Sequence, residues 1–405
     1  MRVETERKRA SLPAGWRRLR LADAGQWRSG GTPSTSNGAY WGGDIPWISG
    51  ASMKDFHVTD SARRLTLLGA KNGSRLAEPG TTLFVVRGMS LKSEFRIGVA
   101  ERQVAFGQDV KALIPADGID PHFLAYAIRV RTPEILSMVE ETSHGTGRLD
   151  TARLKELEIG VPSMDEQRRI VAVNVAFERR IGGLERLLAK LRDVSDSFAT
   201  QAMAAAPGVV PFGTWLQRIE AGKSPMAEDT PAGDEQWGVL KVSAVQPGQF
   251  RATENKVVHD SGLINPQYEV RAGDLLMTRA NTEQLVGLAC IARNPPPHLM
   301  LSDKTLRLVP DETVAEPQFM ELTLLSPSVR RQIRAMATGT SGSMKNIGQD
   351  AVRRLLVPDV PAKEQKRVVA VVAASRRRAE AVMNQIAKTR VAQRAVSEEL
   401  LRGAV

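Results

Sequence analysis

The sequence has little of what disulfide-rich, metal-cluster and membrane proteins require. Its 405 residues include one cysteine, Cys290, which excludes an internal disulfide framework and a zinc cluster of several thiolates. No apolar run approaches the roughly 18 residues of a membrane-spanning helix. The five histidines are scattered without the paired spacing of a metal site. We therefore expect a protein of the reducing cytoplasm that needs no cofactor and no metal and does not enter a membrane.

Acidic residues are also in the minority. Lys and Arg outnumber Asp and Glu by 56 to 45, which gives a net charge of +11. This excess favours a polyanionic partner, of which nucleic acid is the commonest. Charge alone leaves open the alternative of a merely basic soluble protein. The hydrophobic content of 42% and the charged content of 25% are typical of soluble globular domains.

A long amphipathic helix is the strongest pattern present. Ser163 and Glu166 have the spacing of a capping box at its start, and Pro207-Gly208 ends it. About 40 residues at about 1.5 Å each give a rod of about 60 Å. Its apolar seam alternates steps of four and three residues, as in helices that pack lengthwise, through Phe177, Ile181, Leu184, Leu188, Leu191, Ser195, Phe198 and Ala202.

The seam occurs twice. A shift of 198 residues superposes the two seams and also aligns Glu166-Gln167 with Glu364-Gln365. Because the polar residues at the start are shared as well, the chain is a tandem duplication of about 200 residues. We take the large apolar members of both seams as the helix-pairing residues. Adding 198 to each number of the first seam gives Ser375, Ala379, Val382, Ile386, Thr389, Gln393, Val396 and Leu400.

A mixed α and β region precedes each helix. Short β-type runs at 82–87, 97–100 and 110–114 lead to a predicted helix at 121–131. The second half repeats this order with shifts of 192 to 198, but its loops differ. Matching scaffolds with different loops indicate that the two copies bind different targets. We predict an α+β protein with a basic tail at 1–14, globular domains at 15–161 and 208–361, and long helices at 162–207 and 362–405.

Several motifs in this order resemble the specificity (S) subunits of type I restriction-modification systems. They are Gly-Gly-Thr-Pro33, Gly-Asp-Ile-Pro-Trp-Ile48, and the Val-Pro and Glu-Gln pairs at 161–167 and 357–365. The second copy departs from the pattern, with Gly222-Lys-Ser-Pro225 in place of Gly-Gly-Thr-Pro and no Ile-Pro-Trp-Ile.

The resemblance implies two target-recognition domains that each read one half of a split sequence in double-stranded DNA. It also implies that the long helices pair as an antiparallel coiled coil with pseudo-twofold symmetry. These helices would hold the domains apart and dock two methyltransferase subunits, and through them the endonuclease subunits. The chain itself would be a non-catalytic member of that complex.

Candidate DNA contacts follow from residue type and position. Arg87 and Arg279 appear at matched positions after a predicted strand, and arginine can hold guanine by two hydrogen bonds, as asparagine and glutamine can hold adenine. Lys92, Arg96, Lys304 and Arg307 are candidates for phosphate contacts. The alternative for all of them is an ordinary solvated strand end or connector. The remaining candidates are Arg148, Lys223, Asn281, Gln284, Lys345 and Asn346.

Other sequence patterns argue against catalysis. Asn294-Pro-Pro-Pro297 lacks the aromatic residue of an adenine methyltransferase signature, and the acidic residues near Pro358 are too close together for a nuclease. Trp41 and Trp47 are expected in the core. An autonomous nuclease or methyltransferase is therefore disfavoured. The divergent second copy keeps open another alternative, a degenerate S-like adaptor that binds partner subunits without reading DNA.

Overall fold

The computed structural model describes residues 12–142, 145–341 and 344–402, and the chain divides into two compact units. The first unit comprises Met1–Glu185 and Asn384–Val405, and the second comprises Arg186–Met383. Each unit contains one mixed α/β region and about half of each long helix. Residues 1–11 of the predicted basic tail lie outside the described residues.

The first unit contains the elements up to the first long helix. They are β1 (Arg17–Arg20), β2 (Gly25–Ser29), β3 (Trp41–Ile48), β4 (His57–Val58), β5 (Arg64–Leu65), α1 (Leu67–Lys71), β6 (Arg75–Ala77), β7 (Thr82–Val85), β8 (Arg87–Gly88), β9 (Ile97–Ala100), β10 (Val104–Phe106), β11 (Val110–Pro115), α2 (Pro121–Arg129), α3 (Thr132–Leu136), β12 (Val139–Glu141), β13 (Gly147–Leu149), α4 (Thr151–Lys155) and β14 (Glu158–Val161). The helix α5 (Met164–Ala204) follows and passes into the second unit.

The second unit repeats this arrangement. Its elements are β15 (Val209–Pro211), β16 (Leu216–Ala221), β17 (Gly238–Leu240), β18 (Val245–Gln246), β19 (Gln249–Phe250), β20 (Asn255–Val257), β21 (Leu275–Thr278), β22 (Ala280–Asn281), β23 (Ala289–Ile291), β24 (Leu299–Met300), β25 (Thr305–Pro310), α6 (Pro317–Leu325), α7 (Pro327–Met336), β26 (Thr338–Ser341), β27 (Met344–Asn346), α8 (Gln349–Arg353) and β28 (Leu356–Pro358). The helix α9 (Ala362–Arg402) closes the series and returns to the first unit.

The strand order confirms the predicted duplication. The main sheet of the first unit has the order β2-β11-β7-β9-β4, and that of the second has β16-β25-β21-β23. A hairpin with one added strand follows in each unit, as β12-β13-β8 and β22-β27-β26. The pairs β1-β14 and β15-β28 lie at the start of each long helix. The remaining sheets are β5-β3-β10-β6, β20-β17-β24 and β18-β19.

Each core is built on a central strand with neighbours on both sides. Every residue of Thr82–Val85 and of Leu275–Thr278 is buried, as a strand covered on both faces requires. The helix α2 begins where predicted, because the Asp120 carboxylate accepts hydrogen bonds from the first free amides and Pro121 follows it. Among the described residues, no helix is long and apolar enough to cross a lipid bilayer.

The first long helix has 41 residues, and its start differs in one detail from the prediction. Ser163 Oγ accepts a hydrogen bond from the Glu166 amide at 3.4 Å, as expected. The Glu166 carboxylate was expected to return to the Ser163 amide. It instead accepts a hydrogen bond from Trp16 Nε1 at 3.3 Å, which connects the helix to the beginning of the globular region.

The two long helices pack together and run antiparallel. In the first unit, Ser397 Oγ donates to Asn174 Oδ1 at 2.6 Å, and Arg390 forms an ion pair with Glu185 at 2.7 Å. Residue numbers therefore fall along α9 as they rise along α5.

The same direction holds within the second unit. Ser375 Oγ donates to the Leu191 carbonyl at 2.8 Å, and the Arg367 guanidinium lies 5.7 Å from the centre of the Phe198 ring. The buried seam residues are Ile181, Ser195, Ala379, Val382, Ile386 and Thr389. The half-buried ones are Phe177, Leu184, Leu188, Leu191, Phe198, Ala202, Ser375, Gln393, Val396 and Leu400.

A buried glutamine connects the start of α5 to the globular region of the first unit. Gln167 Oε1 accepts from the Asp120 amide at 2.8 Å. Its Nε2 donates to the carbonyls of Gly118 and Pro162 at 3.1 and 3.0 Å. The side chain is fully buried, and one amide satisfies three backbone groups.

Gln365 makes the equivalent contacts in the second unit. Its Oε1 accepts from the Glu316 amide at 3.0 Å, and its Nε2 donates to the carbonyls of Val360 and Val314 at 2.8 and 3.3 Å. The Glu-Gln pair shared by the two halves of the sequence therefore marks a repeated structural contact.

A second attachment in the first unit uses charge. His57 lies between two carboxylates, with Nδ1 at 2.5 Å from Glu101 and Nε2 at 2.9 Å from Glu178 on α5. The bond to Glu178, assisted by that to Glu101, raises the pKa of His57 to about 9 against the opposing effect of burial. A cationic imidazole thus connects β4 to the long helix.

The attachment in the second unit has the opposite charges. Glu321 on α6 is fully buried and accepts a hydrogen bond from the Ile291 amide at 2.8 Å. Its other oxygen pairs with Arg293 at 3.1 Å and with Arg376 on α9 at 3.0 Å. Two guanidinium groups therefore share one carboxylate.

These four flanking residues occupy equivalent positions. The pairing of β9 with β7 and of β23 with β21 aligns Glu101 with Arg293. The shift of 198 aligns Glu178 with Arg376. The duplicated fold thus attaches each globular region to its helix at the same place by a charge-inverted contact.

Replacing Gln365 by alanine should destabilise the chain. The Glu316 amide and two carbonyls would lose their buried partner. We expect the free energy of unfolding to fall by about 2–4 kcal/mol, because each buried unsatisfied polar group costs about 1–3 kcal/mol. Urea denaturation measures the loss, with the exposed Lys363→Ala as the matched control. Equal losses in the two variants would contradict the assigned role.

The thiol of Cys290 should be unreactive in the native chain. Cys290 lies on β23 with no exposed surface, and burial raises its pKa to about 12. Since the thiolate is the reactive form, a maleimide at neutral pH should label the chain slowly in buffer and rapidly in concentrated urea. Mass spectrometry follows the labelling, and native labelling at the rate of a free thiol would show that β23 is not buried.

Candidate nucleic-acid interface

Two exposed arginines lie opposite each other in the first unit. The strands β8, β13 and β12 form what we call the first hairpin sheet. In it, Arg87 pairs with Arg148 across antiparallel strands, and both residues are exposed. Within the described residues, neither guanidinium forms a salt bridge with a carboxylate. Like charges directly opposite in a sheet are destabilising, although Glu140 of β12, opposite Arg148 on its other side, offsets part of that cost.

The other two candidates of the first unit have partners. Lys92 forms an ion pair with Glu141 of β12 at 2.8 Å, and its side chain remains 41% exposed. Arg96 pairs with Glu94 at 2.8 Å and donates to the Gly50 carbonyl at 2.9 Å. Arg96 is therefore held within the domain, whereas Lys92 lies at the edge of the first hairpin sheet.

The second unit carries its candidates at the equivalent place. The strands β22, β27 and β26 form the second hairpin sheet. Asn281 pairs with Lys345 and Ala280 with Asn346. Lys345 Nζ donates to the Gly339 carbonyl at 2.8 Å. The structure thus brings three of the predicted residues onto one small sheet.

Arg279 and Lys304 adjoin this sheet through the backbone. The Arg279 amide donates to the Lys304 carbonyl at 2.8 Å, and its carbonyl accepts from the Ile347 amide at 2.9 Å. Both side chains are exposed. Lys223 is exposed as well, next to Ser224, whose hydroxyl bonds to the Asp303 carboxylate beside Lys304. These three cations therefore neighbour one another.

Gln284 lies on the loop between β22 and β23. Its side chain is exposed, and its carbonyl accepts from Arg330 Nη2 at 3.0 Å. Arg330 is buried and also donates to the Val286 carbonyl at 2.7 Å. The helix α7 thus fixes the loop that carries Gln284.

The register corrects the predicted match between Arg87 and Arg279. The Val86 carbonyl accepts from the Leu149 amide just as the Arg279 carbonyl accepts from the Ile347 amide. Val86 is therefore the equivalent of Arg279, and Arg87 is the equivalent of Ala280. The prediction was wrong by one residue, because a strand shift of 193 replaces the 192 taken from the sequence.

Arg307 was also assigned wrongly. It is 8% exposed, and its guanidinium pairs with Glu220 at 3.2 Å and Asp274 at 3.1 Å and donates to the Glu269 carbonyl at 2.7 Å. These contacts hold its guanidinium inside the second unit. It is a core residue rather than a phosphate contact.

The glycine motif serves close packing. A Cβ on Gly30 would lie 2.2 Å from the Gly107 carbonyl oxygen, and one on Gly222 would lie 1.9 Å from that of Leu301. No side chain fits at either place. Trp47 is 5% exposed, which confirms its predicted core position. These sequence motifs therefore mark positions that the packing of the scaffold requires.

Sequence reasoning missed two kinds of residue. Met89, beside Arg87, and Met344, on β27, are 64% and 48% exposed. Methionine is usually a core residue, so its type gave no signal.

His57 and His122 come together with Glu101, with their ligand atoms within 4.8 Å of one another. The spacing of the histidines in the sequence gave no signal, because only the topology brings these segments together.

A family model links the chain to known proteins. The type I restriction modification DNA specificity domain matches residues 13–192. Over 164 residues the chain is 34% identical to the EcoEI specificity subunit of Escherichia coli, covering 40% of this chain and 27% of the relative. Over 186 residues it is 30% identical to the MjaIX specificity subunit of Methanocaldococcus jannaschii, covering 44% and 42%. The matches thus span less than half of these relatives.

Two solved structures share the fold over almost the whole chain. The S subunit of a type I restriction-modification system from M. genitalium has a TM-score of 0.53 at 13% identity, covering 99% of this chain and 98% of that one. A chain from a study of assembly and conformational transition in a type I system has a TM-score of 0.61 at 18% identity, covering 98% and 100%. The specificity-domain model thus covers residues 13–192, and the likeness to these two structures extends the shared fold over almost the whole chain.

Proposed function

We propose that the chain is the non-catalytic DNA-recognition subunit of a type I restriction-modification complex. The globular domains at 15–161 and 208–361 would each read one half of a bipartite duplex target. The long helices at 162–207 and 362–405 would set the spacing and dock two methyltransferase subunits, and through them the endonuclease subunits.

The two hairpin sheets carry this proposal. Both lie at the equivalent place in the duplicated fold, yet their polar side chains differ. The first presents Arg87 and Arg148, and the second presents Asn281, Lys345 and Asn346. Two equivalent scaffolds with unlike polar groups are what a reader of two unlike half-sites requires.

The residue types suit base recognition in the major groove. Arginine makes two hydrogen bonds to guanine, and asparagine makes two to adenine. A two-stranded hairpin is narrow enough to enter that groove. The neighbouring Lys92, Lys223 and Lys304 would hold phosphates, which positions the protein without specifying sequence. The net charge of +11 supports a strong electrostatic contribution.

The paired helices support the spacing role. Two globular domains that read the same face of a duplex must be separated by close to a whole number of helical turns. Each of the two antiparallel helices has a length of 41 residues. The buried glutamines fix how each globular domain joins its helix. Because the chain is duplicated, it would present equivalent docking surfaces to two identical methyltransferase subunits.

A second candidate function is a structural adaptor that no longer reads DNA. It is favoured by the second hairpin sheet, where Lys345 bonds to Gly339 and the Asn281 side chain accepts from the Thr282 amide at 2.8 Å. Pulldown of a methyltransferase without sequence-selective retention of DNA would support this alternative.

Methylation sequencing of a host that carries the complex tests the leading function. We expect one bipartite motif, with methylated adenines in two unlike half-sites around an unread spacer. The motif should disappear when the gene for this chain is deleted. A host without a split motif, or one that keeps it after deletion, would contradict the proposal.

Replacing Arg148 by alanine should weaken specific binding. Loss of one bidentate base contact costs about 1–3 kcal/mol, so we expect affinity for the target duplex to fall by about 5- to 150-fold. Affinity for an unrelated duplex should change far less. Fluorescence anisotropy of the assembled complex measures both. The exposed Arg75→Ala on β6 is the matched control, and an equal loss there would show that only charge matters.

Lengthening both helices should change the spacer alone. We expect a seven-residue insertion after Leu188, paired with one after Val382, to lengthen the preferred spacer and leave the read bases unchanged. A heptad preserves the apolar seam. The methylated motif of the variant gives the readout. A change in the read bases would show that the helices do not act independently of the globular domains.

A further inference from the structure

Three metal-ligating side chains converge in the first unit. His57 Nδ1 lies 2.5 Å from Glu101 Oε1, and His122 Nε2 lies 2.9 Å from the same oxygen. All three ligand atoms lie within 4.8 Å of one another. Two imidazoles and one carboxylate are a donor set that binds zinc with one coordination position left open.

The backbone holds the three ligands on separate elements. His57 lies on β4, which runs parallel to β9, and the Glu101 amide donates to the Val58 carbonyl at 3.0 Å. His122 lies in the first turn of α2, where its amide donates to the Asp120 carboxylate at 2.9 Å. The site is therefore assembled by the fold and does not depend on one flexible loop.

A fourth residue orients the first ligand. His57 Nε2 lies 2.9 Å from Glu178 Oε2, so Nε2–H donates to that carboxylate while Nδ1 faces Glu101. Metal-bound imidazoles almost always donate their other N–H to a carboxylate or carbonyl in this way. A metal ion would replace the proton on Nδ1, and that proton would leave to solvent. Glu178 would act as a positioning residue.

The cluster has room to accept an ion. Bonds of about 2.0–2.1 Å in a tetrahedral site place ligand atoms about 3.4 Å apart, so each contact of Glu101 with a histidine must lengthen by less than about 1 Å. The side chains of His57, Glu101 and His122 are 42%, 32% and 28% exposed, which leaves them free to do so. His57 and Glu178 also line a cleft of about 850 Å³.

We propose that His57, Glu101 and His122 form a binding site for one divalent transition-metal ion of the zinc class. The ion would connect β4, the strand end at Glu101 and α2, and through Glu178 it would strengthen the attachment to α5. The second unit has arginines at the positions of Glu101 and Glu178, which repel a cation. One site per chain is therefore expected.

Titration of the tag-free, chelator-treated full chain with zinc chloride tests the site. Calorimetry should show one ion per chain. We expect His122→Ala and Glu101→Gln to lower the affinity by at least about 100-fold, and Glu178→Gln to lower it by about 10- to 100-fold. His259→Ala is the matched control, because His259 makes a single 3.0 Å contact with Glu228 in the second unit.

Cobalt(II) provides a readout that does not depend on variants. The wild-type chain should show the visible absorption of a four-coordinate ion, and zinc should displace it. Hydrogen exchange should slow at residues 57–58, 99–101 and 122–126 on zinc addition, with no change at residues 289–293. Absence of a stoichiometric site in the wild type would overturn the proposal. Full affinity in a folded His122→Ala variant would also overturn it.

Discussion

One buried amide lies at the centre of the attachment of each globular region to a long helix. Gln167 and Gln365 each bind one backbone amide and two carbonyls where strand, loop and helix meet. A polar side chain in such a place is stable only when all its hydrogen bonds are made, so its geometry is highly specified. This contact fixes how each globular region joins the long helix within its own unit. Any role in measuring distance along a duplex depends on that rigidity.

Around this shared contact the two halves diverge in chemistry while keeping their geometry. The second attachment uses an imidazole between two carboxylates in one unit, and a carboxylate between two guanidiniums in the other. The hairpin sheets diverge in the same manner, from opposed arginines to asparagine and lysine. Position is thus preserved by the fold, and residue type is free to change. A duplicated scaffold can in this way acquire two specificities.

Local patterns predicted the helices, several strands and the duplication, because seam period and capping residues depend on neighbours in sequence. The shared Glu-Gln pair was found in the sequence, but its three-way contact required the coordinates. Strand register was not predictable to one residue, so Arg279 was aligned with Arg87 instead of with Val86. Arg307 was misplaced because residue type alone does not reveal burial, and His57 and His122 meet only through the parallel pairing of β4 with β9.

The proposed function implies that two globular domains, each fixed to a long helix, read two half-sites at one separation. Its most direct test measures the affinity of the assembled complex for duplexes that carry the same half-sites with spacers varied one base pair at a time. The account predicts a single preferred spacer and a steep loss of affinity on either side of it, because each base pair both lengthens and rotates the duplex. Equal affinity across several spacer lengths would contradict it.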